Sequence, residues 1–176
     1  MEQKLTNRQK TSIARKSLSV PVRTALTKGF LVSGNTVHDY GCGSLENMQK
    51  HGNDITRLQT LGYTVTGHDL NHGTKRQADI VFCSYVINVI ENPMERIEVI
   101  KDAYSLCNKM LILSARVDKA SLKDSKTTPY ADGAITQNNT FQKFYTTSEL
   151  QILVKKVLGK DSIKLGNGSI IIKKGE

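Results

Sequence analysis

Two glycines, Gly41 and Gly43, follow an acid, Asp39, in the stretch TVHDYGCGSLENM, and a second acid, Asp69, stands 26 residues beyond Gly43. Glycine is costly inside regular structure, so a close pair marks backbone that meets something closely. At the end of a strand, just before a helix, such a pair lets main chain approach a ligand. An acid at the end of the next strand can accept both hydroxyls of a ribose. Asp39, inside the first strand, could reach a ligand ammonium group. Dinucleotide sites share part of this logic, but the third glycine of G-x-G-x-x-G is absent, with Asn47 and Met48 near its place.

The elements that must hold these residues follow from periodicity and turn chemistry. Residues 9–30 predict one or two short helices, with a fresh start near Pro21, one apolar face of Val22, Ala25 and Leu26, and a stop at Gly29. TVHDYG predicts the first strand. Leu45, Met48, Ile55, Leu58 and Leu61 keep helical spacing, interrupted at HGND (51–54), with Asp54 as the cap of the second part and Gly62 as its end. YTVTGHDL alternates as a strand, and ADIVFCSYVINVI is the continuous apolar run of a strand buried on both faces. The clearest helix is NPMERIEVIKDAYSLC, with Asn92 as cap, Pro93 in the first turn and Glu95 completing a capping box. KMLILSARV is another buried strand. The polar stretch 118–140 predicts a long loop or flap. A last helix starts at a cap near Thr147, and Gly166-Asn167-Gly168 joins two strands in a hairpin. This alternation predicts an α/β fold with a doubly wound, mostly parallel sheet and a C-terminal antiparallel hairpin.

The chain of 176 residues, 38% hydrophobic and 23% charged, has the composition of one globular domain. We expect a basic helical segment over 1–30 and an α/β domain over 31–176. No run approaches the ~18 apolar residues of a membrane span. The N-terminus predicts no secretory signal. Cys42, Cys83 and Cys107, widely spaced in apolar or Gly-rich runs, read as reduced thiols and place the chain in the cytoplasm by expectation. The net charge of +9 is uneven: residues 1–30 carry +6, residues 31–150 carry −1, and residues 151–176 carry +4. Basic ends attract polyanions, nucleic acid above all, or simply solvate the chain. No metal set is expected, since His68 and His72 sit in a predicted loop. No membrane contact and no particular partner protein are implied.

VHDYGCG, YTVTGHDL and ADIVFCSYVINVIE resemble, in order, the first, second and fourth strand motifs of the class I S-adenosylmethionine-dependent methyltransferases, over about residues 35–175. The resemblance implies a Rossmann-like sheet and S-adenosylmethionine as cofactor. It implies that Asp39, Gly41 and Gly43 surround the methionine moiety, that Asp69 holds the ribose, that Ser84 and Tyr85 border the sulfonium, and that Tyr40, Cys42 and Leu70 also belong to the cofactor site. IARKSLSVPVRTAL, DYGCG, SYVINVIE and TFQKFYT are similar, more narrowly, to methyltransferase-like proteins associated with DNA phosphorothioation, which implies a nucleic acid acceptor. Only eight residues, Asn71 to Ala78, separate Leu70 from Asp79, so the third strand of that fold is reduced or missing. His72, Lys75 or Arg76 would then border the adenine.

Methyl transfer from a sulfonium is an in-line displacement in which alignment supplies much of the rate, so no nucleophilic triad is required. Tyr85 and Asn88, near the end of the fourth strand, are the candidate catalytic residues, or else helix-entry packing. The Asn/Asp-Pro-Pro-aromatic motif usual in amino-group DNA methyltransferases is not present in SYVIN. Gln142, Lys143 and Tyr145, beside Phe141 and Phe144, could anchor a nucleotide, or the aromatics could be core. Arg15, Lys16 and Arg23 could bind phosphate or cover the cofactor. The expected function is therefore methyl transfer to DNA or RNA. The alternatives are a small-molecule or protein methyltransferase, or a non-catalytic S-adenosylmethionine-binding subunit of a nucleic acid modification system.

Overall fold

The structure, a computed structural model, describes Arg8, Thr11, residues 15–117 and residues 127–175. The elements run α1 (Val20–Thr27), β1 (Thr36–Tyr40), α2 (Leu45–His51), α3 (Asp54–Thr60), β2 (Thr64–Asp69), β3 (His72–Gly73) and β4 (Ala78–Ser84). A 3-10 turn (Ile87–Val89) leads to α4 (Pro93–Leu106), β5 (Cys107–Ser114), β6 (Thr128–Tyr130), β7 (Gly133–Ile135) and β8 (Phe141–Gln142). The chain closes with α5 (Thr147–Leu158), β9 (Ile163–Gly166) and β10 (Ser169–Lys173). Seven strands form one sheet in the order β3-β2-β1-β4-β5-β10-β9, and β6, β7 and β8 form a second, antiparallel sheet. Strands β2, β1, β4 and β5 are parallel; β10 is antiparallel to both β5 and β9.

The unbroken apolar strands fill two cores, because neighbouring side chains leave a strand on opposite faces. Ile80, Phe82, Ile112 and Ile171 pack with Val22, Ala25, Ile55 and Leu58 beneath α1 and α3. Val81, Cys83, Leu111, Leu113, Ile170 and Ile172 pack on the other face with Ile100, Ala103, Leu150 and Val154 from α4 and α5. The expected doubly wound sheet is thus present. The third strand is reduced to two residues and runs antiparallel to β2, since a segment this short can only turn back on its neighbour.

Local details differ from expectation at several caps. Asn53, not Asp54, caps α3 through a capping box with Thr56, which frees the Asp54 carboxylate to accept the Ser19 N–H at 2.8 Å. The cap of α5, expected near Thr147, is Thr146, in a capping box with Glu149. Asn92 caps α4 as expected by accepting the Met94 N–H. Glu95 turns to Arg8 instead, with one N–H···O bond at 2.8 Å. The expected helix over residues 9–19 falls mostly outside the described residues; the restart at Pro21 is α1.

Residues 118–126 also lie outside the described residues, but 128–142 are not an open loop. They form the small sheet, and one buried side chain ties it down. Arg96 donates to the Ile90 and Glu91 carbonyls at 2.7 and 3.0 Å and makes a bidentate pair with Asp132 at 2.6 and 2.9 Å. Its guanidinium lies 5.3 Å above the Phe141 ring. This pair, with Lys143 at 2.9 Å, holds the Asp132 carboxyl well below the usual carboxylate range. Replacing Arg96 by Met leaves Asp132 without its main partner and two carbonyls without donors. We expect amide exchange across Gly133–Gln142 to accelerate roughly tenfold or more while β4 and β5 keep their protection, read by hydrogen-exchange mass spectrometry.

Candidate functional site

Strand order reverses between β1 and β4, where the chain leaves the sheet in opposite directions, and a cavity of about 940 Å³ opens beyond the carboxyl ends of these strands. This is near the upper end of the range for small-molecule sites, roughly 300–1,000 Å³. Asp39, Gly41, Gly43, Asp69, Tyr85, Asn88 and Gln142 all line it.

The glycine turn is held from below by β2. The His68 carbonyl accepts the N–H groups of Gly41 at 2.9 Å and Cys42 at 3.1 Å. Gly41 has φ +79°, and a Cβ there would stand 2.4 Å from Val86 Cγ2, so both conformation and space require glycine. Gly43 N–H donates to Asp69 Oδ2 at 2.9 Å, while Leu70 N–H donates to Asp69 Oδ1 at 2.8 Å. His72 Nε2 stands 2.7 Å from the Gly43 carbonyl. The two ends of the motif pair recognised in sequence are therefore bonded directly to each other. Both line the cavity, which exposed Leu70 also borders.

Asp39 is buried, and no hydrogen bond from a described residue reaches its carboxylate. Burial, the largest cause, together with the nearby Asp54 and Asp69 carboxylates, pushes its pKa up to about 8, against the opposing influence of Arg15. The Arg15 guanidinium lies 5.2 Å over the Tyr85 ring, and Arg57 holds the Arg15 carbonyl at 2.5 Å. Tyr85 has φ +63°, a strained value for a bulky residue, fixed by its N–H donating to the Ser114 carbonyl at 2.8 Å. Burial raises the Tyr85 pKa, so its hydroxyl is a donor rather than a base. The Cys42 thiol, pushed up to about 12 by burial and by Asp39 and Asp69, is no nucleophile.

Beneath the turn, His38 and His68 stack on adjacent strands with Nε2 and Nδ1 2.8 Å apart, and His38 Nδ1 reaches Thr66 Oγ1 at 2.7 Å. Burial lowers His38 to about 4 and lowers His68 as well, so the pair stays neutral. Tyr40 sends its hydroxyl to Asp102 at 2.6 Å, where Lys75 also binds at 2.5 Å. Among the described residues no group of three or more His, Cys, Asp or Glu is placed to hold a metal ion.

The far end of the cavity is lined by Ser84, Val86, Asn88, Ile90, Arg116 and Gln142. Asn88 and Gln142 are buried and joined by an amide–amide bond of 3.0 Å. Of the residues expected to meet an acceptor, Arg15 and Gln142 line the cavity; Lys16, Arg23, Lys143 and Tyr145 do not. Lys16 and Arg23 are exposed, Lys143 is paired with Asp132, and Tyr145 belongs to the core. His72 and Lys75 line the cavity, and Arg76 does not. Arg8, Thr11, Glu95 and Arg116 line it unforeseen. Glu95 carried the signal of a cap, and the basic N-terminal segment gave no indication that Arg8 would turn inward.

The reversal between β1 and β4 and the C-terminal antiparallel pair give this chain the fold of the class I S-adenosylmethionine-dependent methyltransferases, from which the two-residue third strand departs. No family model and no curated protein matches the chain. Among solved structures, a SAM-dependent methyltransferase from Methanosarcina mazei is similar over 85% of this chain and 96% of its own, with a TM-score of 0.57 and 18% identity. SAM-bound CalS10 from Micromonospora echinaspora, an amino pentose methyltransferase, is similar over 99% and 97%, with 0.52 and 12%. Magnesium protoporphyrin IX methyltransferase from Synechocystis PCC 6803, with bound SAH, is similar over 98% and 84%, with 0.50 and 18%. At these identities the likeness is one of fold.

The raised Asp39 pKa has two measurable consequences. Its folded value of about 8 exceeds the ordinary 3.8, so its contribution to stability is fully present below pH 3.8 and is lost as pH rises toward 8. An ammonium group bound beside it favours the ionised form and must expel the proton. Titration of a ligand bearing an ammonium group in buffers of different ionisation enthalpy should therefore show proton release of up to about one near pH 6–7, fading above about pH 9. Asp39→Asn should abolish that release and flatten the corresponding slope of stability against pH.

Proposed function

We propose that the chain is an S-adenosylmethionine-dependent methyltransferase. The observation that carries the reading is the convergence of Asp39, the Gly41–Gly43 turn and Asp69 on one cavity at the β1/β4 reversal. The residues fit the cofactor's chemistry: Asp39, with no hydrogen bond from a described residue, suits an ammonium group, Arg15 suits a carboxylate, and Asp69 suits ribose hydroxyls. The bound cofactor supplies a methyl group made electrophilic by a sulfonium. The chain's own contribution is to bind, to orient the acceptor from the Tyr85–Asn88 side, and to exclude water with Gln142, Arg8, Thr11 and Arg15.

For the acceptor we favour a small molecule over a nucleic acid. Five of the C-terminal lysines stand at the end of the sheet away from the cavity. Lys173 pairs in register with Met110 and Lys174 bonds to Lys109, while Lys155, Lys156 and Lys160 belong to the end of α5 and the turn into β9. Arg8 is paired with Glu95, and Arg15 lies over Tyr85, so these two cations point inward rather than out toward a polyanion. Two of the similar structures are named for small acceptors, an amino pentose and a magnesium porphyrin. Similarity to the phosphorothioation-associated proteins supports the nucleic acid reading instead.

Isothermal titration with S-adenosylmethionine and S-adenosylhomocysteine tests the enzyme reading, and absence of binding by both would sink it. Asp69→Ala should weaken binding by roughly tenfold or more, through lost ribose contacts and a loosened Gly43 turn. A single-stranded or duplex oligonucleotide should bind no more tightly than about 10⁻⁴–10⁻⁶ M at physiological salt. Much tighter, salt-dependent binding would restore the nucleic acid acceptor.

A further inference from the structure

At the acceptor end, Asn88 is 2% exposed and Gln142 is 7% exposed, and both line the cavity. Asn88 Nδ2 donates to Gln142 Oε1 at 3.0 Å. Asn88 Oδ1 is buried with no hydrogen-bond partner, and Gln142 Nε2 makes no hydrogen bond to a described residue. The pair therefore leaves one acceptor and one donor without a described partner, side by side. Exchanging N and O in both amides leaves the same complement, one of each. A buried amide oxygen without a donor is costly, and beside a cavity it is the kind of group that a ligand can complete.

The rest of the structure holds the pair in place. Lys143 N–H donates to the Asn88 carbonyl at 2.8 Å, which locks β8 to the turn after β4. Arg96 and Asp132 fix the small sheet that carries Gln142. The flanking lining residues Val86, Val89, Ile90 and Val99 are apolar.

We propose that Asn88 and Gln142 form a specificity-determining edge that selects acceptors carrying an adjacent N–H donor and ring-nitrogen acceptor, the edge of an amino-substituted nitrogen heterocycle. This rests on the methyltransferase reading, because it assigns the pair to the acceptor end of the same cavity. The source of such a group is either a free heterocycle or nucleoside, or a base in a polynucleotide.

The test uses the full chain saturated with S-adenosylhomocysteine, whose binding is measured first. Failure at that stage overturns the methyltransferase reading and this proposal with it. Three probes of similar shape are then titrated: 2-aminopyrimidine, pyrimidine and aniline. The proposal expects 2-aminopyrimidine to bind about tenfold or more tightly than either of the others, which lack the donor or the acceptor. Gln142→Met, which keeps length but offers neither group, should bring the three within about twofold while leaving S-adenosylhomocysteine affinity within about twofold. Equal affinity of the three probes for the unaltered chain overturns the proposal, whether or not the variant folds. A preference unchanged in a variant that still binds S-adenosylhomocysteine overturns it as well. Displacement of 2-aminopyrimidine by adenosine or cytidine, or by a single-stranded oligonucleotide, supports it, and which of them displaces identifies the source.

Discussion

Everything else in this molecule depends on the reversal of strand order between β1 and β4. Right-handed crossovers send the segments after β1 and β4 to opposite faces of the sheet, which leaves a gap between the two strand ends. The strands themselves are sealed by Ile80, Phe82 and Ile112 below α3 and by Val81, Cys83 and Leu113 below α4 and α5. That two-sided packing makes the platform rigid. The crevice it leaves is lined by main chain and a few polar side chains rather than by core.

Polar groups inside such a platform are tolerated only where their bonds are met. The His38–His68 contact, with Thr66 on one side, occupies positions that a wholly apolar sheet would fill with Val or Ile, and it places the His68 carbonyl under two amides of the glycine turn. Asp69 performs a similar service from the next strand by fixing Gly43. Asp39 departs from that rule. Its carboxylate is desolvated with acids nearby and Arg15 opposing them, a cost of the kind found where a ligand supplies a partner.

With β3 cut to two residues, the cavity wall on the β2 side is made by Leu70, Asn71 and His72, while Gln142 reaches it from the small sheet. That sheet has little core of its own. The Arg96 guanidinium substitutes for one by joining Asp132, two carbonyls and the Phe141 ring at a single point.

The α/β class, the two-faced strands, the hairpin at Gly166–Gly168 and the Asp39–Gly41–Gly43–Asp69 set were legible in the sequence. Each follows from a local rule: apolar runs, turn residues and glycine where a side chain cannot fit. The cap of α3 fell at Asn53, one residue before Asp54, because neighbouring polar residues compete for the same amides and only the tertiary partners choose among them. Segment 128–142 read as a loop because its strands are two or three residues long and stabilised by a distant arginine. The meeting of Asn88 with Gln142, of Arg8 with Glu95, and of Arg15 with Tyr85 joins residues 54, 87 and 70 positions apart. No periodicity encodes such pairings. Sequence determined which backbone could approach a ligand, because that is a property of single residues. Tertiary structure alone decided which side chains share the cavity, because that depends on how distant elements close upon one another.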